Sequence, residues 1–308
     1  MSDLLHRLLR VGALAITVAC SGAASSTATI APAPSDVDAD GVQMLFPSAP
    51  GASFRLGTSD PNRTARLVIE KGTTATAGVD GGIRFWNLPS YPLAYSSGGT
   101  GVTSRLHIQA SDAAQQFTWR TQRGFLAAPT DLKNQEFTIY ARVHGLTDLA
   151  RAMLTMKVRG GGHSANNGDL ASCVMITVAP ATAPGGPTRF GKELVHPDYD
   201  YVRLTPRFDA SLVENQWLGI KMVSWNDPTD STRVVNRLYL DTDPFERASG
   251  RPRNGWRLYS EYIDVAGKSS GRYNTVVNWG GWQTTMRLDG YRSVDFALLS
   301  AREIVPPR

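Results

Sequence analysis

Residues 217–224 read Trp217-Leu218-Gly219-Ile220-Lys221-Met222-Val223-Ser224. Leu218, Ile220 and Met222 take alternate positions and Lys221 falls between them, which is the period of a strand with one buried face. The same alternation recurs at 137–143 (FTIYARV), 154–159 (LTMKVR), 174–178 (VMITV), 234–240 (VVNRLYL), 256–263 (WRLYSEYI), 284–288 (TTMRL) and 294–304 (VDFALLSAREI). Clusters of Gly, Pro, Asn and Asp separate these runs, and 29 Gly and 18 Pro supply the many turns they need. Helical character is confined to a turn over 148–153. The expectation is an all-β chain folded as an antiparallel sandwich or barrel.

The part from 43 to 130 is less regular, with strands expected at 54–56, 65–70, 82–86 and 105–109. No linker and no internal repeat divides the chain. At the N-terminus, Arg7 and Arg10 precede a short apolar run, 11–19, that is too short for a spanning helix of roughly 20 residues. Ala19 then precedes Cys20. This resembles a bacterial lipoprotein signal, which implies lipidation of Cys20, export and a membrane attachment. Plain secretion with cleavage near Ala23 or Ala24 is the alternative. The expected organisation is a signal peptide at 1–19, a disordered tether rich in Ser, Ala, Thr, Pro and Asp at 20–42, and one β-sandwich at 43–304.

The formal charge is +5 and is spread without a basic block, which argues against a nucleic-acid partner. A mild positive balance is compatible with an acidic polysaccharide. With Cys20 acylated, Cys173 is the other cysteine and has no disulfide partner; in its apolar run it reads as a small buried hydrophobe.

The C-terminal stretches 279–282 (WGGW), 285–289 (TMRLD), 294–296 (VDF) and 300–304 (SAREI) resemble the closing strands of concanavalin-like jelly-roll sandwiches. Secreted polysaccharide lyases, β-glucanases and lectin-like modules share that fold. The resemblance spans about 135–304 and implies a jelly-roll sandwich that handles carbohydrate. Residues 268–274 (KSSGRYN) resemble the Lys-x-Gly-x-Tyr element of alginate lyases with one residue added, which implies Tyr273 as a catalytic acid. The Arg-x-Glu-x-Arg and Gln-Ile-His motifs of those lyases are absent, as is the Glu-x-Asp-x-x-Glu motif of β-glucanases; Lys157, Arg159 and His163 are loose stand-ins.

A lyase acting on a uronic-acid polymer neutralises a carboxylate, removes a carbon-bound proton and protonates the leaving oxygen. Arg159, Lys221 and Asn226 suit the first task. His163 or His196 suits the second, and Tyr199, Tyr201 or Tyr273 the third. Lys157 and Lys192 are further cationic substrate contacts, and Trp279 and Trp282, set among glycines, are candidate sugar-stacking platforms. No cofactor is expected from ligand spacing, although Asp241 and Asp243 leave a loop-bound Ca²⁺ open. The reading is therefore an exported polysaccharide-binding protein, with lyase activity and a non-catalytic binding role as the two alternatives.

Overall fold

The computed structural model describes residues 36–95, 98–110, 131–161, 172–196, 198–268 and 271–307. His163, Cys20, the expected signal peptide and most of the expected tether lie outside these residues. In chain order the strands are β1 (Ser48–Arg55), β2 (Leu67–Ile69), β3 (Thr76–Asp80), β4 (Ile83–Pro89), β5 (Tyr91–Ala94), β6 (Thr100–Gln109), β7 (Gln135–Leu146) and β8 (Met153–Gly160). There follow β9 (Cys173–Val178), β10 (Thr188–Val195), β11 (Asp198–Arg203), β12 (Leu218–Asn226), β13 (Arg233–Asp241), β14 (Arg257–Val265), β15 (Gln283–Asp289) and β16 (Tyr291–Ile304). The turn expected over 148–153 closes with the Arg151 N–H on the Asp148 carbonyl and leads into β8.

Two antiparallel sheets form a jelly-roll sandwich. The front sheet runs β11-β10-β9-β8-β15-β6-β2, with β5 also on β6. The back sheet runs β14-β13-β12-β7-β16-β4-β3, with β1 also on β16. The alternation seen in sequence sets the inner faces. Phe137, Ile139, Ala141 and Val143 of β7 meet Leu154, Met156 and Val158 of β8, with Leu218, Ile220 and Met222 of β12 in the same core. Two bulges reset the alternation. In β16 the register shifts between Ala297 and Ser300, and Leu298 has φ 49°. Val294 and Phe296 before the bulge and Leu299 and Ala301 after it therefore all face the core, although their spacing changes parity. In β8 the shift falls opposite Gln283 and Thr285, and Arg159 has φ 59°.

The packed structure reaches further toward the N-terminus than the expected boundary at 43. Val37 pairs with Gln43, and Val42 is buried against Tyr140 and Phe245 on the outer side of the back sheet. This segment covers an ion cluster. Lys221 Nζ lies 2.5 Å from Glu136 Oε1 and donates to the Gln43 carbonyl at 2.9 Å. Arg302 reaches Glu136 Oε2 at 2.7 Å and the Phe46 carbonyl at 2.7 Å. The Lys221 and Glu136 side chains are 1% and 2% exposed.

Breaking a buried pair leaves an uncompensated charge and costs about 3–5 kcal/mol. Glu136→Gln is thus expected to lower unfolding free energy by about 3 kcal/mol in urea denaturation, and the double change Glu136→Met with Lys221→Met to recover part of that loss. A double variant no better than Glu136→Gln would contradict this account.

Candidate functional site

Strand alternation that fills the core also loads the outer face of the front sheet. On β6 Leu106 and Ile108 are core, so Arg105, His107 and Gln109 face outward. On β15 Met286 and Leu288 are core and Gln283, Thr285 and Arg287 face outward. Pairing of β15 with both β6 and β8 aligns these side chains in rows. Arg287 stands between Arg105 and Thr155, and Thr285 between His107 and Lys157, while Gln283 is opposite Gln109. Across β9 and β10 the middle row continues through Met175 and Gly191 to Tyr201. Tyr199 lies opposite Glu193 in the next row.

Gly191 explains how the tyrosines reach across the sheet. A Cβ there would sit 2.8 Å from the Tyr201 ring and 3.0 Å from Met175 Cγ. With glycine in place the ring lies over β10, stacked on Tyr199 at 5.7 Å with planes 10° apart. Arg189 lies 4.8 Å from the Tyr201 ring centroid. Lys157 Nζ is 5.0 Å from the Tyr199 centroid and 3.4 Å from its hydroxyl. The same ammonium donates to Glu193 Oε2 at 2.8 Å, and the other Glu193 oxygen is 2.6 Å from His196 Nδ1.

Burial opposes the charge on Lys157, but the Glu193 carboxylate outweighs it and holds the ammonium above its ordinary range. Burial pushes the Tyr199 phenol up to about 12, against the pull of Lys157. The Arg287 guanidinium is likewise raised: Asp289, 2.7 Å away, outweighs burial. At the far end, Gln283 Nε2 donates to His107 Nδ1 at 3.0 Å, so Nδ1 is the acceptor and Nε2 carries the proton. That nitrogen faces Glu70 Oε2 at 3.4 Å. Burial lowers the His107 pKa and keeps the ring neutral at pH 7. Burial works against the Glu70 charge, yet hydrogen bonding from His107 and the Arg105 guanidinium at 3.0 Å bring its pKa down to about 2.

The expected site residues divide among several places. Lys157, His196, Tyr199 and Tyr201 come together on the front face. Arg159 does not join them: its bulge turns it between the sheets, where it donates to Asn226 Oδ1 at 2.6 Å and the Val277 carbonyl at 2.9 Å. Burial lowers its pKa to about 9. Asn226 holds that guanidinium and donates to the Asn278 carbonyl. Lys192 points inward beside Phe190 and Leu194 and pairs with Asp264 at 3.0 Å, also donating to the Tyr273 and Thr275 carbonyls. Lys221 is on the opposite side of the sandwich. Tyr273 and Trp279 are partly buried against the core, and Trp282 is 1% exposed, so Trp282 packs inside rather than forming an exposed sugar platform. Burial raises the Cys173 thiol to about 12, which fits an inert buried group.

Sequence reading missed His107, Arg105, Gln109, Gln283, Thr285, Arg287 and Glu70. The signal was present as polar residues at 105, 107, 109 and at 283, 285, 287, but nothing in sequence paired the two strands. Asp241 accepts the Gly255 and Asp243 N–H groups, and no cluster of three or more His, Cys, Asp or Glu suited to a metal occurs among the described residues.

No family model and no curated protein sequence matches the chain. Solved structures of similar shape include the VIP36 exoplasmic/lumenal domain in its Ca²⁺/Man3GlcNAc-bound form, at 9% identity and TM-score 0.39, covering 79% of this chain and 86% of that one. Endo-β-1,4-glucuronan lyase from the fungus Trichoderma reesei is similar at 12% identity and TM-score 0.41, covering 77% and 90%. Alginate lyase Aly36B is similar at 11% identity and TM-score 0.34, covering 84% and 100%.

A depressed Glu70 pKa means that its contribution to stability is complete above the unfolded value, near 4.5, and is lost as pH falls toward 2. Glu70→Gln is expected to flatten the acid limb of stability against pH across that window, measured by chemical denaturation. An unchanged limb would remove Glu70 from the ion cluster.

Proposed function

We propose that this protein binds an acidic polysaccharide along the outer face of the front sheet. The observation that carries the reading is the contact of Lys157 with Tyr199, beside the Tyr201 ring laid over Gly191. Stacked phenol rings offer an apolar surface for the C–H faces of sugars. Lys157 and Arg287 lie beside it and Arg105 further along the face, and their guanidinium and ammonium groups suit carboxylates. Each already has a protein carboxylate nearby, so a glycan carboxylate joins an existing charge network rather than meeting bare cations.

A second reading, β-elimination on the same face, is favoured by one specific contrast. Tyr199 is kept protonated and His107 neutral, on either side of Lys157 along the sheet. A retained phenol proton suits the acid that protonates the leaving oxygen, and a neutral imidazole suits the base once its Nδ1 lone pair is released from the Gln283 amide. The cations would stabilise negative charge developing on the uronate.

Two assays on the folded chain separate the readings: retention in gels containing uronic-acid polysaccharides, and ultraviolet absorbance of the conjugated double bond that elimination creates. Lys157→Met is expected to weaken retention by about tenfold. Tyr199→Phe is expected to keep retention and, where wild type eliminates, to lower the rate by at least about 100-fold. Retention without any absorbance rise leaves a binding protein; absence of both overturns the proposal.

We further propose export and attachment through an acyl group on Cys20, supported by the apolar run at 11–19 and by Ala19 before the cysteine. Cys20→Ser is expected to shift the protein from the membrane fraction to the soluble exported fraction. An unaltered distribution would contradict the anchor.

A further inference from the structure

Away from the front face, a cleft of about 480 Å³ opens beside the β11–β12 connection. Phe208 and Trp217 line it, together with Asp209, Ser211, Gln216 and Thr242. Its volume is within the ordinary range for small-ligand sites.

The connection is tied down along its length. Leu204 N–H bonds the Thr188 carbonyl, Arg207 N–H that of Tyr259, and Leu212 N–H that of Ala179. The Tyr259 hydroxyl donates to the Ala210 carbonyl at 2.6 Å. Further on, Asn215, with φ 63°, donates its N–H to the Val143 carbonyl, its Oδ1 lies 2.8 Å from His144 Nδ1, and Glu214 accepts the Leu146 N–H. Trp217 is fixed from behind by Phe245 at 5.4 Å and by Arg142, 4.8 Å from its ring centroid. Phe208 carries the Arg257 guanidinium at 3.9 Å. A wall already ordered before binding loses little entropy when a ligand enters.

The lining chemistry differs from that of the front face. Two aromatic side chains suit the C–H faces of a pyranose ring. The hydroxyls of Ser211 and Thr242, the Gln216 amide and the Asp209 carboxylate offer donors and acceptors for its hydroxyl groups. Among the described residues Asp209 is the one charged residue of the lining, and Arg257 is held on the Phe208 ring beside it, so the cleft has no cationic excess to favour a uronate carboxylate over an uncharged sugar. We propose that this cleft is a second glycan subsite, separate from the front face, that takes an uncharged pyranose unit. The assignment does not depend on the front-face reading.

The test is a proton–nitrogen correlation NMR titration of the folded chain with neutral cello-, manno- and galacto-oligosaccharides. Sugar is raised to about 10 mM, tenfold above a millimolar dissociation constant. With at least one sugar, the backbone signals of 206–217 and the Gln216 side-chain amide are expected to shift. Asp209 and Gln216 are exposed, so Asp209→Asn with Gln216→Ala changes binding without touching the core. That pair is expected to weaken affinity by at least about tenfold. The inference is overturned if no neutral sugar moves these signals, if shifts fall instead at Lys157, Tyr199 and His107, or if the double variant binds as wild type does.

Discussion

The front face exists because β15 is inserted between β6 and β8. Residues 283–289 pair on one side with 103–109 and on the other with 153–160, segments far away in sequence. That double ladder brings the His107 end of the face, with Glu70 and Arg105, to the Lys157 end, with Glu193 and the tyrosine pair. Without it, Thr285 and Gln283 would not stand beside His107, and the imidazole would lose the donor that sets its tautomer. Long-range pairing of this kind is entropically costly to close, and it is secured by Met286 and Leu288 on the core side of the same strand.

Charge is handled differently on the two sides of each sheet. Within the sandwich, Lys192 and Asp264 form one enclosed pair, and Arg159 is held by an amide oxygen and a carbonyl. These groups have no room to serve a ligand; they tie the front sheet to β14, to the end of β12 and to the chain before β15. On the front face the pairs Lys157–Glu193, Arg287–Asp289 and Arg105–Glu70 are bordered by aromatic rings and by Gln109 and Gln283. Pairs between the sheets link elements of the fold, whereas those on the outer face lie beside the aromatic rings, where among the cations only Arg105 and Arg287 keep some exposure, at 12% and 14%.

The two bulges show why local reading stops short. Up to Val158 the alternation of β8 is regular, and Arg159 reads as another outward cation beside Lys157. A positive φ at Arg159 reverses that expectation and sends the guanidinium between the sheets. In the same way, Lys192 interrupts the core side of β10, and only its match with Asp264, 72 residues later, makes that position tolerable. Trp282 reads as exposed because glycines precede it, yet Gly281 lets the chain approach β8 closely: a Cβ on it would lie 2.2 Å from the Arg159 carbonyl carbon.

Alternation at 137–143, 154–158, 218–222 and 284–288 determined, from sequence alone, that the chain is an antiparallel all-β sandwich or barrel and which side chains of these strands fill it, because a strand's faces follow from a period of two. It also marked Lys157, Tyr199, Tyr201 and His196 as polar groups worth attention. Only the tertiary structure decided which strands became neighbours, and so which polar faces merged. His107 and Thr285 lie 178 positions apart, and their adjacency depends on strand order. Bulges, enclosed ion pairs and the packing of residues 36–47 on the back sheet were equally hidden, since each is fixed by partners that the local pattern does not name.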